Sequence, residues 1–329
     1  DLVGLDATQI EREILNFKPP SRTLVHMLAS PFLQVLDPVF LGWNNLPKEG
    51  PMLFVSNHTI WGFDYPIFMD ELYRRKKIFP RVLADHGHFQ TLHGDMLRNL
   101  FGAVDGTRKN FDLLADAKQA IFVYPGGARE VFKQTTDSKY SLFWKNKKGF
   151  AYMALKHGVP IVPIINFGSE DMVDIVLDLP LGWLPIPFLW NSDRTIPLFK
   201  PKTKNHDVKR MYFMISAPIY TNTLMGRQGD EKIVDLIKFK TQKAIEEGIT
   251  FLRNYAIEDE KRRRLRKKSK DKVDQNTIQK KNSGIQYLAQ MIKYYSEKKK
   301  NNSDSNNDKL LILKEANKDS KKPLLPSNI

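Results

Sequence analysis

The chain has 329 residues, 41% of them hydrophobic and 11% aromatic, enough apolar mass to bury a core and to exclude wholesale disorder. Cysteine is absent, which excludes disulfides, Cys-ligated zinc, iron–sulfur clusters and a cysteine nucleophile. The net charge of +15 suggests anionic partners such as phospholipid head groups, phosphorylated cofactors or nucleic acid. The charge is unevenly spread, however. Residues 256–329 carry 20 Lys and Arg against 10 Asp and Glu, and residues 1–255 carry 32 against 27. Most of the excess therefore lies outside the part that reads as folded, and that part need not bind nucleic acid.

Two apolar stretches are too interrupted to span a bilayer. Leu24–Trp43 is broken by His26, Asp37 and two prolines, and Ile175–Trp190 by Asp178 and three prolines. The first reads as a buried helix and the second as a packed apolar loop. Both also fit a surface that dips into a bilayer or lines a lipid groove, since Trp at their ends favours the membrane boundary. Between and beyond them, strand and helix signals alternate. Met52–Val55 is a short apolar strand, and Pro66–Arg75 a helix with Pro in its first turn and a basic end. Arg81–Ala84 follows as a strand, then helices over Phe89–Phe101 and Phe111–Lys118. Ala120–Tyr124 is a strand stopped by Pro125-Gly126-Gly127, and Lys148–His157 a helix ended by Gly158. Val159–Asn166 reads as a strand whose prolines point to an edge or an irregular course. Arg210–Tyr220 is strand-like, and Asp230–Tyr255 is a long amphipathic helix. After the basic run Lys261–Lys272 the tail reads as largely disordered, with one marginal helix over Gly284–Tyr295. The alternation predicts an α/β fold with a mixed, mainly parallel sheet flanked by helices. It also predicts three regions: a helical, membrane-facing stretch over 1–45, the α/β domain over 46–256, and a basic tail over 257–329.

Three short segments carry chemistry. In Asn57-His58-Thr59-Ile60-Trp61-Gly62-Phe63-Asp64, His58 falls at a strand end, where α/β sheets place reactive groups. On a regular helix His58 and Asp64 would face different ways, so they meet only if the chain turns, and Gly62 permits that turn. A carboxylate on one imidazole nitrogen leaves the other as a base. The alternative is that Asp64 caps the next helix and His58 is a satisfied strand-end residue. In Tyr124-Pro-Gly-Gly-Ala-Arg-Glu130, the glycines expose backbone N–H groups beside Arg129, a turn that can hold an oxyanion or a phosphate. It can equally be a plain structural turn. Asp105-Gly106-Thr107-Arg108 is a second turn that delivers an arginine, or a surface loop.

The order of these segments, followed by Val159-Pro160-Ile161-Val162-Pro163, resembles the glycerolipid and lysophospholipid acyltransferase superfamily, most of all its monoacylglycerol/diacylglycerol acyltransferase-like branch. The superfamily signature has four residues between His and Asp, and this chain has five. The YPGGARE segment resembles the branch's glycine–glycine–arginine–glutamate motif, and VPIVP the superfamily's fourth motif. Arg81–His86 and Ser216–Tyr220 are also similar to the branch. The resemblance implies transfer of a fatty acyl group from acyl-CoA, as co-substrate and not as a resident cofactor, to a hydroxyl of an acylglycerol or related lipid alcohol. It implies His58 as general base and Asp64 as its orienting carboxylate. Arg108, Gly126, Gly127, Arg129 and Glu130 would contact substrate, in a glycerolipid-synthesising enzyme at a membrane surface, the endoplasmic reticulum membrane in a eukaryote. Direct attack by an activated hydroxyl needs no enzyme nucleophile, which suits a chain without cysteine and without a Gly-x-Ser-x-Gly elbow.

Other readings fit parts of the sequence. The superfamily also contains lysophospholipid and glycerol-phosphate acyltransferases. His86, His88, His93 and Asp95 invite a metal, but no metal signature surrounds them and none is expected. The basic tail suits nucleic acid, yet it lacks interleaved aromatics, and no specific nucleic acid is expected. A non-catalytic lipid-binding scaffold would keep the groove without the reaction. Asn57-His-Thr59 also matches a glycosylation sequence, which we take as chance.

Overall fold

The structure is a computed structural model. It describes residues 7–48, 50–62, 64–90, 94–180, 195–201 and 210–270. Compactness separates Asp1–Arg263 from Arg264–Ile329, and the architecture below is that of the first unit.

Seven strands form one sheet: β1 (Val39–Leu41), β2 (Leu53–Ser56), β3 (Arg81–Ala84), β4 (Val104–Asp105), β5 (Ile121–Val123), β6 (Ile161–Phe167) and β9 (Tyr212–Ile215). Their order is β1-β9-β6-β2-β5-β3-β4. From β6 to β4 every pairing is parallel, whereas β9 runs antiparallel to β6 and carries β1 parallel to itself. The sheet is mixed and mainly parallel, as expected. A separate ribbon pairs β7 (Val173–Pro180) with β8 (Thr195–Pro201) in antiparallel register.

Alternation along the strands builds two apolar layers. Leu53, Val55, Ile121, Ile161 and Ile165 face one side. There they pack with residues of α1 (Ala7–Leu15), α5 (Arg108–Asp116), α7 (Gly149–His157) and α8 (Glu231–Lys270). Phe54, Phe122, Val162, Ile164 and Phe213 face the other side, against α2 (Arg22–Leu36) and α3 (Asp64–Lys76). A sheet covered on both faces explains why β2 and β6 read as unbroken apolar runs. Two shorter helices, α4 (Gly94–Phe101) and α6 (Ala128–Val131), complete the first unit.

Four expectations change. The proline-bearing strand is central, since β6 lies between β9 and β2. Pro163 is tolerated because its carbonyl side, where its N–H would also point, faces β9 beyond the Ile164–Ile215 pairing. There its carbonyl accepts from Ser216, and regular pairing resumes only at the Ile161–Ile219 bridge. The region over 1–45 is helical in α1 and α2 but also supplies β1, whose Phe40 stacks on Phe213 at 4.9 Å. Leu24–Trp43 is not one buried helix: α2 buries Val25 and Ala29 and exposes Met27 and Val35. Its two acidic or basic interruptions have partners, His26 on Asp70 at 2.9 Å and Asp37, a left-handed helix end, on Arg210. Finally, α8 continues to Lys270, so most of the basic run is helical. Among the described residues no helix is long and apolar enough to cross a membrane. The stretch over Ile175–Trp190 begins in β7; its remainder, like Gly284–Tyr295, lies outside the described residues.

Candidate active site

The carboxyl ends of β2, β3, β4, β5 and β6 open at one edge of the sheet, and three of the predicted segments follow them directly. β2 leads to His58, β5 to the Pro-Gly-Gly turn, and β4 to Thr107-Arg108. After β2 the chain makes a single 3-10 turn over Ile60–Gly62 and enters α3 at Asp64. Gly62 sits at φ +69°, the left-handed region open to glycine. A Cβ on it would lie 3.1 Å from the His58 ring carbon Cε1. This turn brings His58 Nδ1 to 3.1 Å from Asp64 Oδ1. Asp64 is also the first residue of its helix, where the macrodipole favours a negative charge; the two readings of Asp64 are compatible.

Asp64 is fully buried, and each of its oxygens is held. Oδ1 accepts from the Thr59 hydroxyl at 2.6 Å, and Oδ2 from the Asn166 amide at 3.1 Å. Burial opposes its charge, but the charge and hydrogen bond of His58, helped by Thr59, outweigh it and keep the carboxyl below its usual range. Asn166 in turn locks the end of β6 to the end of β2. Its N–H donates to Asn57 Oδ1 and its carbonyl accepts from Asn57 Nδ2, both at 2.9 Å. Asn57 is buried in this clamp, which leaves no room for a glycan. Tyr124 stacks on the imidazole with 3.8 Å between ring centroids and 10° between planes. Its hydroxyl has no acceptor at hydrogen-bonding geometry, although burial and the neighbouring Asp64 charge push its pKa up.

The Gly-Gly turn is built around Glu130. That side chain is inaccessible to solvent; it accepts from the His58 backbone N–H at 2.8 Å, Phe143 N–H at 3.0 Å and Trp144 Nε1 at 2.9 Å. Burial raises its pKa against these bonds. Where the motif implied a substrate contact, the Glu130 side chain is enclosed by its own chain and holds the His58 backbone N–H. Gly126 leaves the space Glu130 occupies, since a Cβ there would lie 2.0 Å from Glu130 Cδ. Gly127 holds φ +54° beside open space. Arg129 forms a two-pronged pair with Asp137 and lies 4.1 Å over the Phe143 ring. Arg108 is exposed, 4.7 Å over the Tyr152 ring of α7. The structure thus joins His58, Asp64, Gly62 and the Glu130 turn, and shows no bond from Arg108 to them.

Exposed His86 pairs with half-buried Asp105 at 2.9 Å, and among the described residues no group of three or more His, Asp and Glu could hold a metal; His93 lies outside them. Sequence reasoning missed Asn166, Thr59 and Tyr124 as members of the site. Asn166 had one signal, a polar residue near the end of the otherwise apolar run Ile161–Phe167.

Residues 39–166 match the Acyltransferase family model. Over this segment the chain is similar to the acyltransferase family. The segment spans β1 through most of β6 and includes His58, Asp64, the Glu130 turn and Asn166. Phytyl ester synthase 2, chloroplastic, of Arabidopsis thaliana is 32% identical over 162 residues, 47% of this chain and 21% of that protein. The "DGAT1/2-independent enzyme synthesizing storage lipids" of Bos taurus is 32% identical over 125 residues, 38% of this chain and 37% of that protein. The matches thus span well under two-thirds of these relatives' own length. A crystal structure of the 1-acyl-sn-glycerophosphate acyltransferase PlsC from Thermotoga maritima is 17% identical with a TM-score of 0.42, over 69% of this chain and 79% of that one.

Proposed function

We propose that the α/β domain moves a fatty acyl group from acyl-CoA to a hydroxyl of an acylglycerol or related lipid alcohol at a membrane surface. The observation that carries this reading is the His58–Asp64 pair, set at a strand end and buried on its acid side. Asp64 accepts the Nδ1 proton of His58, so Nε2 is left as the base. The acceptor hydroxyl gives its proton to Nε2 as its oxygen attacks the thioester carbonyl. The tetrahedral intermediate then collapses, the C–S bond breaks, and the imidazolium returns the proton to the departing thiolate. Asp64, a charged carboxylate shielded from water, stabilises the imidazolium between these steps. Tyr124 covers one face of the ring, and Gly62 keeps its Cε1–Nε2 edge clear of a side chain. Arg108 and the Gly126-Gly127 turn are the candidate contacts for CoA oxygens.

The test is transfer from a labelled long-chain acyl-CoA to monoacylglycerol, diacylglycerol and a fatty alcohol in vesicles. Wild type is expected to form ester. His58→Ala is expected to fold and to lose at least about a hundredfold in rate, the contribution of a positioned base. Full activity in folded His58→Ala would end the mechanism.

A further inference from the structure

Three cations that follow the Gly-Gly turn are matched by carboxylates. Arg129 meets both oxygens of Asp137, at 2.5 and 2.7 Å. Lys133, buried, meets Glu170 at 2.5 Å, and Lys139 meets Asp171 at 2.9 Å. Asp137 is the best held of the exposed-side partners. It also accepts the Gln134 N–H at 2.7 Å, and only 12% of its side chain is accessible. Burial opposes its charge, but the hydrogen bonds of Arg129 and Gln134 keep its carboxyl below the ordinary range. The guanidinium is fixed further by the ring of Phe143, the backbone N–H of which donates to Glu130, the carboxylate that holds the His58 backbone. Arg129 therefore directly precedes the residue that holds the His58 backbone, and both of its terminal nitrogens are already engaged.

A phosphate on the acceptor would have to displace a bidentate carboxylate that is itself largely buried. The displaced Asp137 would be left as an uncompensated charge in the protein. An uncharged hydroxyl acceptor meets no such cost. Resting on the acyl-transfer reading, we infer that Asp137 sets the acceptor class: by occupying Arg129 it withholds the charge a phosphate would need and commits the site to neutral lipid alcohols.

Two variants test this, Asp137→Asn, which keeps the shape and removes the charge, and Asp137→Ser, which clears the side chain. Circular dichroism reports whether each is folded. The first readout is the ratio of kcat/KM for lysophosphatidic acid to that for monoacylglycerol with the same acyl chain. The second is calorimetric binding of glycerol 3-phosphate, which needs no turnover. Both variants are expected to raise the ratio and the glycerol 3-phosphate affinity about tenfold or more, the factor carried by a hydrogen bond to a charged group. Adding Arg129→Gln is expected to abolish both gains. Unchanged ratio and binding in both folded variants would overturn the inference, as would a wild type that acylates lysophosphatidic acid as well as monoacylglycerol. If no acceptor gives His58-dependent product, the acyl-transfer reading fails, while glycerol 3-phosphate binding still decides whether Asp137 blocks Arg129.

Discussion

Gly126 and Glu130 offer a quantitative check on how His58 is held. A methyl group at position 126 would lie 2.0 Å from Glu130 Cδ, 2.1 Å from Oε1 and 2.5 Å from Cγ. A glutamate end would ordinarily swing aside, but this one is enclosed and bonded to three donors: His58 N–H, Phe143 N–H and Trp144 Nε1–H. In Gly126→Ala the carboxylate must leave, and those donors lose their acceptor inside the protein. Each buried unsatisfied donor costs about 1–3 kcal/mol, so after local relaxation we expect a loss of about 3–5 kcal/mol. The glycine's φ lies outside the left-handed region, so backbone strain adds nothing. Urea denaturation followed by circular dichroism measures the loss. Glu130→Ala orphans the same donors and also makes room for the new methyl, so the double variant should be no less stable than Glu130→Ala alone. The cycle should therefore return a coupling close to the whole Gly126→Ala effect. Acyl transfer should fall in both single variants, because the His58 backbone loses its anchor. A Gly126→Ala protein within about 0.5 kcal/mol of wild type, the range of a neutral surface change, would refute the reasoning, as would additive effects.

Two further outcomes follow from Asp64. Asn166→Leu removes the amide that holds Asp64 Oδ2; kcat should drop about tenfold or more with the acyl-CoA KM little changed, and an unchanged kcat in folded protein would show that the clamp does not position the pair. Because the Asp64 carboxyl is held below its usual value in the folded chain, the unfolded chain binds that proton more tightly. Its contribution to stability is complete above the unfolded pKa of about 3.9 and is lost as pH falls through the folded value. Asp64→Asn should accordingly flatten part of the acid limb of unfolding free energy against pH, and an identical limb in both proteins would contradict this.

What the amino-acid order determines by itself is local. Gly62 between His58 and Asp64 permits the turn that joins them, and the apolar run Met52–Val55 delivers His58 to a strand end. Gly158, at φ +63°, ends α7 where its sequence indicated. Such features depend on backbone preferences within a few residues, and those are legible in a string. The strand alternation likewise gave the α/β class, because two covered sheet faces demand apolar runs.

Tertiary structure decides whatever depends on register between distant segments. Glu130 reads as a substrate contact until its carboxylate is seen on the His58 N–H, 72 positions away in the chain. Asn166 becomes part of the site only because β6 pairs with β2 and sets its amide against Asp64, 102 positions away. The same pairing puts a proline-bearing strand at the sheet's centre and not its edge; the irregular course its prolines also allowed is the gap between Ile215 and Ile219, which absorbs the missing donor. Arg129 is an anion site by composition and half of an ion pair by geometry. A hydrogen bond or a charge pair is worth little until both partners are fixed and shielded from water, and only the packed sheet and its helices fix them.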